Sequence, residues 1–221
     1  MQRSSPAVRS LLRPVRQDRL ADTRIVWLPG AFHTPEDFVH AGFDSAVARR
    51  GLEIDLQFAD LALDHLGDRS AIERLARDIV RPAREAGCRS VWLGGISLGG
   101  SFVLDYAATD AGPWDGLCLL APYLGNRLLI GEIVRAGCLA AWLPGPLAES
   151  DEERRIWRFI QARGAGGPPL YLGYGRQDRF AQGLDLMAEA LPAAAVQVIE
   201  GSHDWATWSA LWERFLDLRG I

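Results

Sequence analysis

The sequence predicts an α/β fold, with a mostly parallel central sheet and helices on both faces of that sheet. Short apolar runs that end in glycine or proline alternate with longer segments that carry apolar residues at helical spacing. The strands should be parallel because strand–helix–strand connections are right-handed crossovers that return the chain to the same sheet. A length of 221 residues suits one domain of this kind with an insertion, so we expect a single domain over residues 1–221.

The first part of the chain is expected to supply an N-terminal arm and three strands. The arm covers residues 1–22 and includes an edge strand near 8–12. Residues 24–28 form an apolar run that stops at a Pro-Gly pair, which indicates a buried strand leading into a loop. Over 52–58, apolar residues alternate with charged or polar ones. This period of two predicts a strand towards a sheet edge with one solvent-facing side.

The middle of the chain continues the alternation. Ser70 and Glu73 have the spacing of a capping box, and the apolar residues after them predict a helix that ends at Gly87. The next elements are a strand over 90–94, a helix from Ser97 and an apolar strand over 117–121. In sheets of this kind ligands bind at the carboxyl ends of the strands, so chemistry is expected just after a strand ends.

Residues 123–167 interrupt this pattern and are expected to form a mostly helical insertion. Its apolar residues are too many for a solvent-exposed helix, so they must pack on the core or face a bound molecule. They are Leu128, Leu129, Ile130, Ile133, Val134, Leu139, Trp142 and Leu143. The pattern then resumes with a strand over 170–173, a helix over 181–190, a strand over 195–199 and a closing helix from Trp205.

The composition argues against several kinds of partner. The formal net charge is −4 and charges of both signs are interspersed, so no basic surface for nucleic acid is expected. The most apolar stretches are short and are interrupted by proline and glycine, which argues against a membrane span. Three cysteines without a C-x-x-C pair predict neither a disulfide framework nor a zinc site, and they favour a reducing, cytoplasmic location.

No cofactor or metal is expected. Gly173 and Gly175 begin like a dinucleotide-binding fingerprint, but Asp178 stands where that fingerprint needs its third glycine. The sequence contains neither the phosphate-loop pattern G-x-x-x-x-G-K-[ST] nor the metal-binding pattern H-E-x-x-H. The remaining partner class is a small molecule.

The pentapeptide from Gly95 to Gly99, with Ser97 at its centre, is a G-x-S-x-G motif. It follows a predicted strand and begins a predicted helix, the context in which this motif forms a nucleophile elbow. A sharp turn there lifts the serine hydroxyl above the sheet in a strained conformation, so the neighbouring residues must be small. Gly95, Gly99 and Gly100 meet this need.

Two further residues follow later strands and could activate the Ser97 hydroxyl. A serine needs a base to take its proton, and the base needs a third group to hold its tautomer. Asp178 comes just after the strand at 170–173, and His203 comes just after the strand at 195–199. Asp204 is an alternative partner for His203, but a carboxylate at the start of a helix more often serves as a cap. We therefore predict that Ser97, Asp178 and His203 form a catalytic triad.

The chain resembles the α/β-hydrolase superfamily of serine hydrolases, which includes esterases and lipases. Four segments carry the resemblance in the same order along the chain: LPGAFH, GGISLGG, GYGRQD and GSHDW. The resemblance implies a nucleophile at Ser97, an acid at Asp178 and a base at His203. It also implies that the insertion at 123–167 is a helical lid.

The same resemblance implies an oxyanion hole made of two backbone N–H groups. One belongs to Leu98, the residue after the nucleophile. The second belongs to Ala31 or, alternatively, to Phe32, because this chain has Pro29-Gly30 where many members have His-Gly. His33 in the same loop could touch the substrate or be held by a backbone partner.

The expected activity is hydrolysis of a carboxylic ester or thioester with an apolar acyl or alkyl group, through an acyl-enzyme on Ser97. Two alternatives remain open. One is an acyltransferase, which would use the same triad with an alcohol or amine acceptor in place of water. The other is a non-catalytic binding protein that keeps the fold.

Overall fold

The computed structural model describes residues 7–61, 69–109, 111–148 and 150–219, which form one seven-stranded sheet flanked by helices. The strands are β1 (Arg9–Arg13), β2 (Thr23–Leu28), β3 (Ile54–Asp60), β4 (Ser90–Ile96), β5 (Gly116–Leu120), β6 (Leu170–Gly175) and β7 (Val196–Ile199). Their order across the sheet is β1-β3-β2-β4-β5-β6-β7. Strand β1 is antiparallel to β3, and all the other neighbours are parallel. The predicted α/β fold class is therefore confirmed.

The helices connect these strands. They are α1 (Pro35–His40), α2 (Phe43–Arg49), α3 (Arg69–Leu75), α4 (Arg81–Glu85), α5 (Leu98–Ala108), α6 (Arg127–Arg135), α7 (Glu152–Arg163), α8 (Ala181–Glu189) and α9 (Trp205–Arg219). A π-helical turn over Ala76–Val80 joins α3 to α4. The capping-box prediction is wrong, because Arg69 is already helical and Ser70 therefore lies inside α3.

The central strands are covered on both faces. Successive residues of β2, β4, β5 and β6 are buried, and side chains that alternate in direction can all be buried only if helices pack on each face. Helix α5 packs against β2 and β4, whereas α9 packs against β5 and β6. The inward side chains of α9 include Trp208, Trp212 and Phe215, all of them buried.

Strand β3 differs from its prediction. It lies towards the edge of the sheet as predicted, but it is second in the order, because β1 of the N-terminal arm pairs with its outer side. Its polar residues are buried as well: Asp55 accepts hydrogen bonds from the backbone N–H groups of Val15 and Ala21, each at 3.0 Å. Gln57 accepts from Arg24 at 3.2 Å. The predicted solvent-facing side is wrong because the arm and β2 supply partners for these polar groups.

The segment between β5 and β6 contains α6, a short 3₁₀ helix (Leu139–Ala141) and α7. Most of its apolar side chains pack into the core, and α7 packs against α5. Leu128, Val134 and Leu143 are the large apolar residues of this segment that stay exposed. The segment is helical as expected, and its role as a lid stays a prediction. Among the described residues, no helix has the length and apolar character needed to cross a membrane.

Candidate active site

Ser97 lies in a sharp turn between β4, which ends at Ile96, and α5, which begins at Leu98. Its backbone angles are φ 51° and ψ −116°, a region that a side-chain-bearing residue rarely adopts. Such strain costs on the order of 1–3 kcal/mol and persists only where the surrounding structure enforces it. The strand–turn–helix context predicted for the G-x-S-x-G motif is therefore present.

Three glycines enforce this turn. A Cβ atom on Gly99 would lie 2.2 Å from the carbonyl oxygen of Leu28, and one on Gly95 would lie 2.4 Å from the carbonyl oxygen of Gly99. A Cβ atom on Gly100 would lie 2.7 Å from Cβ of Pro122. These distances are far below van der Waals contact, so the predicted need for small residues is met at all three positions.

The side chains of Ser97, His203 and Asp178 meet above the carboxyl ends of the strands. His203 Nε2 lies 2.9 Å from Ser97 Oγ, and His203 Nδ1 lies 2.7 Å from Asp178 Oδ2. The His203 side chain is 7% exposed and that of Asp178 is 0% exposed. An imidazole that donates from Nδ1 to the carboxylate leaves Nε2 free to accept the serine proton. The structure thus brings together the three residues that the sequence had suggested.

The second oxygen of Asp178 also has a partner. Oδ1 accepts a hydrogen bond from the backbone N–H of Phe180 at 2.8 Å, which fixes the carboxylate plane relative to His203. Asp204 plays a different part: its carboxylate accepts from the backbone N–H of Thr207 at 2.9 Å at the start of α9. The hydrogen bonds to Thr207 lower the pKa of Asp204. Asp178, and not Asp204, is therefore the hydrogen-bonded partner of His203.

The loop after β2 forms a tight turn beside Ser97. The carbonyl of Gly30 accepts a hydrogen bond from the backbone N–H of His33 at 3.2 Å, so Ala31 and Phe32 are the two central residues of the turn. Phe32 has a positive φ of 65°, and its side chain is 93% exposed. A Cβ atom on Gly30 would lie 3.3 Å from Cβ of Ser97. The turn predicted to hold the second oxyanion donor therefore lies directly against the serine.

His33 has an aromatic environment. Its ring packs edge-on against Trp205 and Trp208, with centroid distances of 5.2 and 5.8 Å. Its Nδ1 lies 3.8 Å from a carboxylate oxygen of Asp37. The His33 ring therefore joins the loop after β2 to the start of α9, the helix that follows His203.

Two residues that the sequence reasoning did not select lie beside the triad. The backbone N–H of Tyr123 donates to the carbonyl oxygen of Ser97 at 2.9 Å. The ring of Phe180 packs edge-on against that of His203 at 5.1 Å, and the Tyr123 and Phe180 rings are 5.4 Å apart. Both residues come shortly after strands β5 and β6, so the strand-end rule that led to Asp178 could have found them.

Tyr123 is neutral at physiological pH. Its hydroxyl donates to Glu153 Oε1 at 3.2 Å. Burial, together with the nearby Glu153 carboxylate, raises the pKa of Tyr123 to about 12. The phenol is therefore a fixed hydrogen-bond donor that ties the loop after β5 to α7.

The described residues contain no group of three or more His, Cys, Asp or Glu side chains that could hold a metal ion. The polar groups nearest Ser97 belong instead to the His203–Asp178 relay and to backbone N–H groups. This arrangement can activate a hydroxyl as a nucleophile and hold the resulting imidazolium.

Solved structures with the same architecture are numerous, although no family model and no curated protein matches the chain. FphF, a fluorophosphonate-binding serine hydrolase of Staphylococcus aureus, is 13% identical with a TM-score of 0.64, covering 96% of this chain and 98% of that one. Est1E from Butyrivibrio proteoclasticus is 15% identical with a TM-score of 0.66, covering 97% and 95%. A monoacylglycerol lipase from Paleococcus ferrophilus is 14% identical with a TM-score of 0.61, covering 96% and 97%. The chain therefore has the α/β-hydrolase fold.

Proposed function

We propose that this protein is a serine hydrolase that cleaves a carboxylic ester or thioester through an acyl-enzyme on Ser97. The observation that carries the proposal is the pair of short contacts made by His203, at 2.9 Å to the Ser97 hydroxyl and 2.7 Å to the Asp178 carboxylate. A surface serine has no need of a buried base and a buried acid aligned behind it. The strained backbone of Ser97 supports the same proposal, since strain of this kind clusters at reactive sites.

The first half of the reaction forms the acyl-enzyme. Ser97 Oγ attacks the carbonyl carbon while His203 Nε2 takes the hydroxyl proton, and Asp178 stabilises the imidazolium. The bond from the carbonyl carbon to the leaving oxygen or sulfur then breaks, and the imidazolium gives its proton to the leaving alcohol or thiol. In the second half, water attacks with His203 as base. The acid is released and the Ser97 hydroxyl is restored.

The negative charge on the substrate oxygen needs hydrogen-bond donors that are already in position. We assign this role to the backbone N–H of Leu98 together with that of Ala31 or, alternatively, Phe32. Leu98 is the first residue of α5, where backbone N–H groups have no partner inside the helix. The Gly30–His33 turn supports the second assignment, because it lies against Ser97.

The names of the structural neighbours fit this reaction class. They include the fluorophosphonate-binding hydrolase, the monoacylglycerol lipase and an S-formylglutathione hydrolase from Staphylococcus aureus, the last being 15% identical to this chain. At such low identities the neighbours support the ester or thioester class and leave the individual substrate open. We therefore test both classes.

The substrate carries an apolar portion. Leu124, Ile130 and Phe180 line a cavity beside the triad, and apolar walls favour an acyl or alkyl chain. Because α6 supplies one wall, we also propose that this part of the segment between β5 and β6 acts as the lid. Hydrolysis rates over 4-nitrophenyl esters of increasing acyl length test this point, and a preference for acetate would count against it.

The decisive experiment combines labelling with turnover. A fluorophosphonate probe should label the protein at Ser97, and purified protein should hydrolyse members of a panel of 4-nitrophenyl esters and acyl thioesters. Ser97→Ala should lose both properties. Absence of labelling together with absence of hydrolysis across the panel would overturn the proposal in favour of a binding protein. If added alcohols or amines are converted to acylated products faster than free acid appears, the protein is an acyltransferase.

A further inference from the structure

The cavity next to the triad has a charge pattern that the hydrolase proposal does not use. Its volume is about 440 Å³, enough for a small organic molecule. One wall is formed by the loop after β5 and the start of α6, and the other by the loop before α8 and the start of that helix. Its lining includes Tyr123, Leu124, Arg127, Ile130, Arg179 and Phe180.

The cavity walls are joined to each member of the triad. Tyr123 donates its backbone N–H to the Ser97 carbonyl at 2.9 Å. Phe180 donates its backbone N–H to Asp178 at 2.8 Å and packs its ring on His203 at 5.1 Å. A group bound in this cavity therefore lies next to residues that contact Ser97, Asp178 and His203.

The only charged residues that line this cavity, among those the structure describes, are Arg127 and Arg179. Both are exposed, and neither has a carboxylate within 4.0 Å among the described residues. Other arginines nearby are paired: Arg154 lies 3.0 Å from Asp151, and Arg155 lies 2.7 Å from Asp105. Two unneutralised guanidinium groups beside an apolar cavity create a positive potential, which low-dielectric walls focus.

The geometry of Arg179 favours a binding role. Its guanidinium carbon lies 4.9 Å from the centroid of the Phe180 ring, so a cation–π contact restricts the side chain. This ring is the one that packs on His203. The positive charge of Arg179 is consequently held at the cavity, because the contact with Phe180 limits the positions that its side chain can take.

Tyr123 also borders a second, smaller cleft that has acidic side chains. This cleft, of about 30 Å³, is lined by Asp105, Glu152 and Glu153. Glu153 accepts hydrogen bonds from Asn126 Nδ2 at 2.7 Å and from the Tyr123 hydroxyl at 3.2 Å. Asp105 is paired with Arg155, but the Glu153 carboxylate makes this cleft less favourable for an anionic group than the larger cavity with its two arginines.

We propose that the substrate carries an anionic group, such as a carboxylate or phosphate, which Arg127 and Arg179 bind at the end of an apolar spacer. The inference rests on the proposed hydrolase function and names its substrate class: an ester or thioester with a negative charge on its acyl part or on its leaving group. Guanidinium groups suit both kinds of anion because their N–H groups match the spacing of two acceptor oxygens.

The test compares substrates whose carboxylate is either free or capped as a methyl ester. For the acyl arm, the monoester 4-nitrophenyl hydrogen adipate is compared with 4-nitrophenyl methyl adipate. For the leaving-group arm, 4-acetoxybenzoate is compared with methyl 4-acetoxybenzoate. We expect kcat/KM to favour the anionic member of one pair by about tenfold, and this preference should decrease at high salt. The substrate pair that shows the preference identifies which part of the substrate, the acyl group or the leaving group, enters the cavity.

Arginine variants then locate the effect. Arg127→Gln and Arg179→Gln should each lower the ratio of kcat/KM for the anionic ester to that for the neutral ester by about 3- to 10-fold. Arg176→Gln is the matched control, because Arg176 is also exposed, lies three residues before Arg179 and is paired with Glu200 outside the cavity. The control should leave the ratio of the two rates unaltered.

The outcomes separate this inference from the hydrolase proposal. The anion-binding inference is overturned, and the hydrolase proposal stands, if Ser97-dependent hydrolysis favours the neutral ester in both substrate pairs. The same conclusion follows if the arginine variants slow both members of a pair equally. Absence of Ser97-dependent hydrolysis for every ester overturns both.

Discussion

Asp55 and Asp178 are two carboxylates with the same burial and different surroundings. Each side chain is 0% exposed, and each accepts two hydrogen bonds. Asp55 lies near the amino end of β3 and binds the backbone N–H groups of Val15 and Ala21. Asp178 lies beyond the carboxyl end of β6 and binds one backbone N–H and the imidazole of His203.

The two aspartates differ in role: Asp55 stabilises the fold, whereas Asp178 belongs to the proposed catalytic site. The hydrogen-bond donors to Asp55 are fixed backbone groups, with the Arg24 guanidinium 3.9 Å away, so its charge anchors the segment that joins β1 to β2. The partner of Asp178 is a side chain that can gain and lose a proton, and that side chain reaches a strained serine. In the described part of the chain, the non-glycine residues with positive φ are Phe32, Ser97 and Ala121, and all three follow strand ends on the Asp178 side of the sheet.

The largest expected effect comes from Ser97→Ala on the reactive side. Removal of the proposed nucleophile should lower kcat by about 10⁴- to 10⁶-fold. The free energy of unfolding should stay nearly the same, because alanine retains the strained backbone. Ester hydrolysis and urea denaturation measure the two quantities. Ser209→Ala on α9, whose hydroxyl bonds the carbonyl of Ala41, is the control and should keep full activity. A Ser97→Ala protein that retains more than a few per cent of the activity would contradict the triad.

Asp178→Asn should rank second. An asparagine in this position can hold the imidazole in the wrong tautomer, so kcat should fall by about 10⁴-fold with the fold intact. Ester hydrolysis assays measure kcat, and circular dichroism measures whether the protein is folded. The assignment fails if the Asp178→Asn enzyme works normally, or if its activity loss merely follows a loss of folded protein.

Asp55→Asn should show the opposite behaviour. Val15 and Ala21 donate to different carboxylate oxygens, and asparagine has an NH₂ group in place of one of them. One buried backbone N–H would therefore lose its acceptor and face another donor. We expect the free energy of unfolding to fall by roughly 2–4 kcal/mol. The kcat of the protein that remains folded, counted by active-site titration, should be unchanged. Unaltered stability, or a kcat that falls with normal stability, would remove the contrast between the two aspartates.

The smallest effect is expected from Asp204, which is next to His203 in the sequence but caps α9. Asp204→Ala should lower the free energy of unfolding by about 1 kcal/mol and leave kcat nearly unchanged. Since the folded protein lowers the pKa of Asp204 from its ordinary 3.8, this stabilisation is present above that value and is lost as the pH falls through the lowered pKa. Thermal melts from neutral pH down to about pH 3 should therefore show the difference from the wild type shrinking in acid. A loss of kcat as large as that of Asp178→Asn would make Asp204 a working partner of His203.

The sequence was informative where a local rule determines the position of a residue. Ser97, Asp178 and His203 each follow a strand, and parallel strands end at one rim, so their meeting could be predicted without knowing any distance. The glycines around Ser97 were predictable for a similar reason, because the turn itself requires them.

Other features depended on contacts between distant parts of the chain. The alternation of β3 correctly indicated a strand, but the burial of Asp55 and Gln57 depends on arm residues 34 to 47 positions away. The cavity beside Tyr123 could not be predicted either, since Arg127 begins α6, Arg179 lies in the loop before α8, and neither belongs to a motif. The sequence gives the polarity of each residue, but whether a polar side chain is exposed depends on partners that only the folded chain brings close to it.

The close approach of Gly99 to the carbonyl of Leu28, where an added Cβ would come within 2.2 Å, has a practical consequence for protein engineering. Helix α5 and the end of β2 touch backbone to backbone, so an added side chain would push the nucleophile away from the loop that begins at Pro29. Attempts to reshape substrate preference should therefore leave this junction alone and randomise α6 and the start of α8, where side chains rather than main chain determine the space available to a ligand.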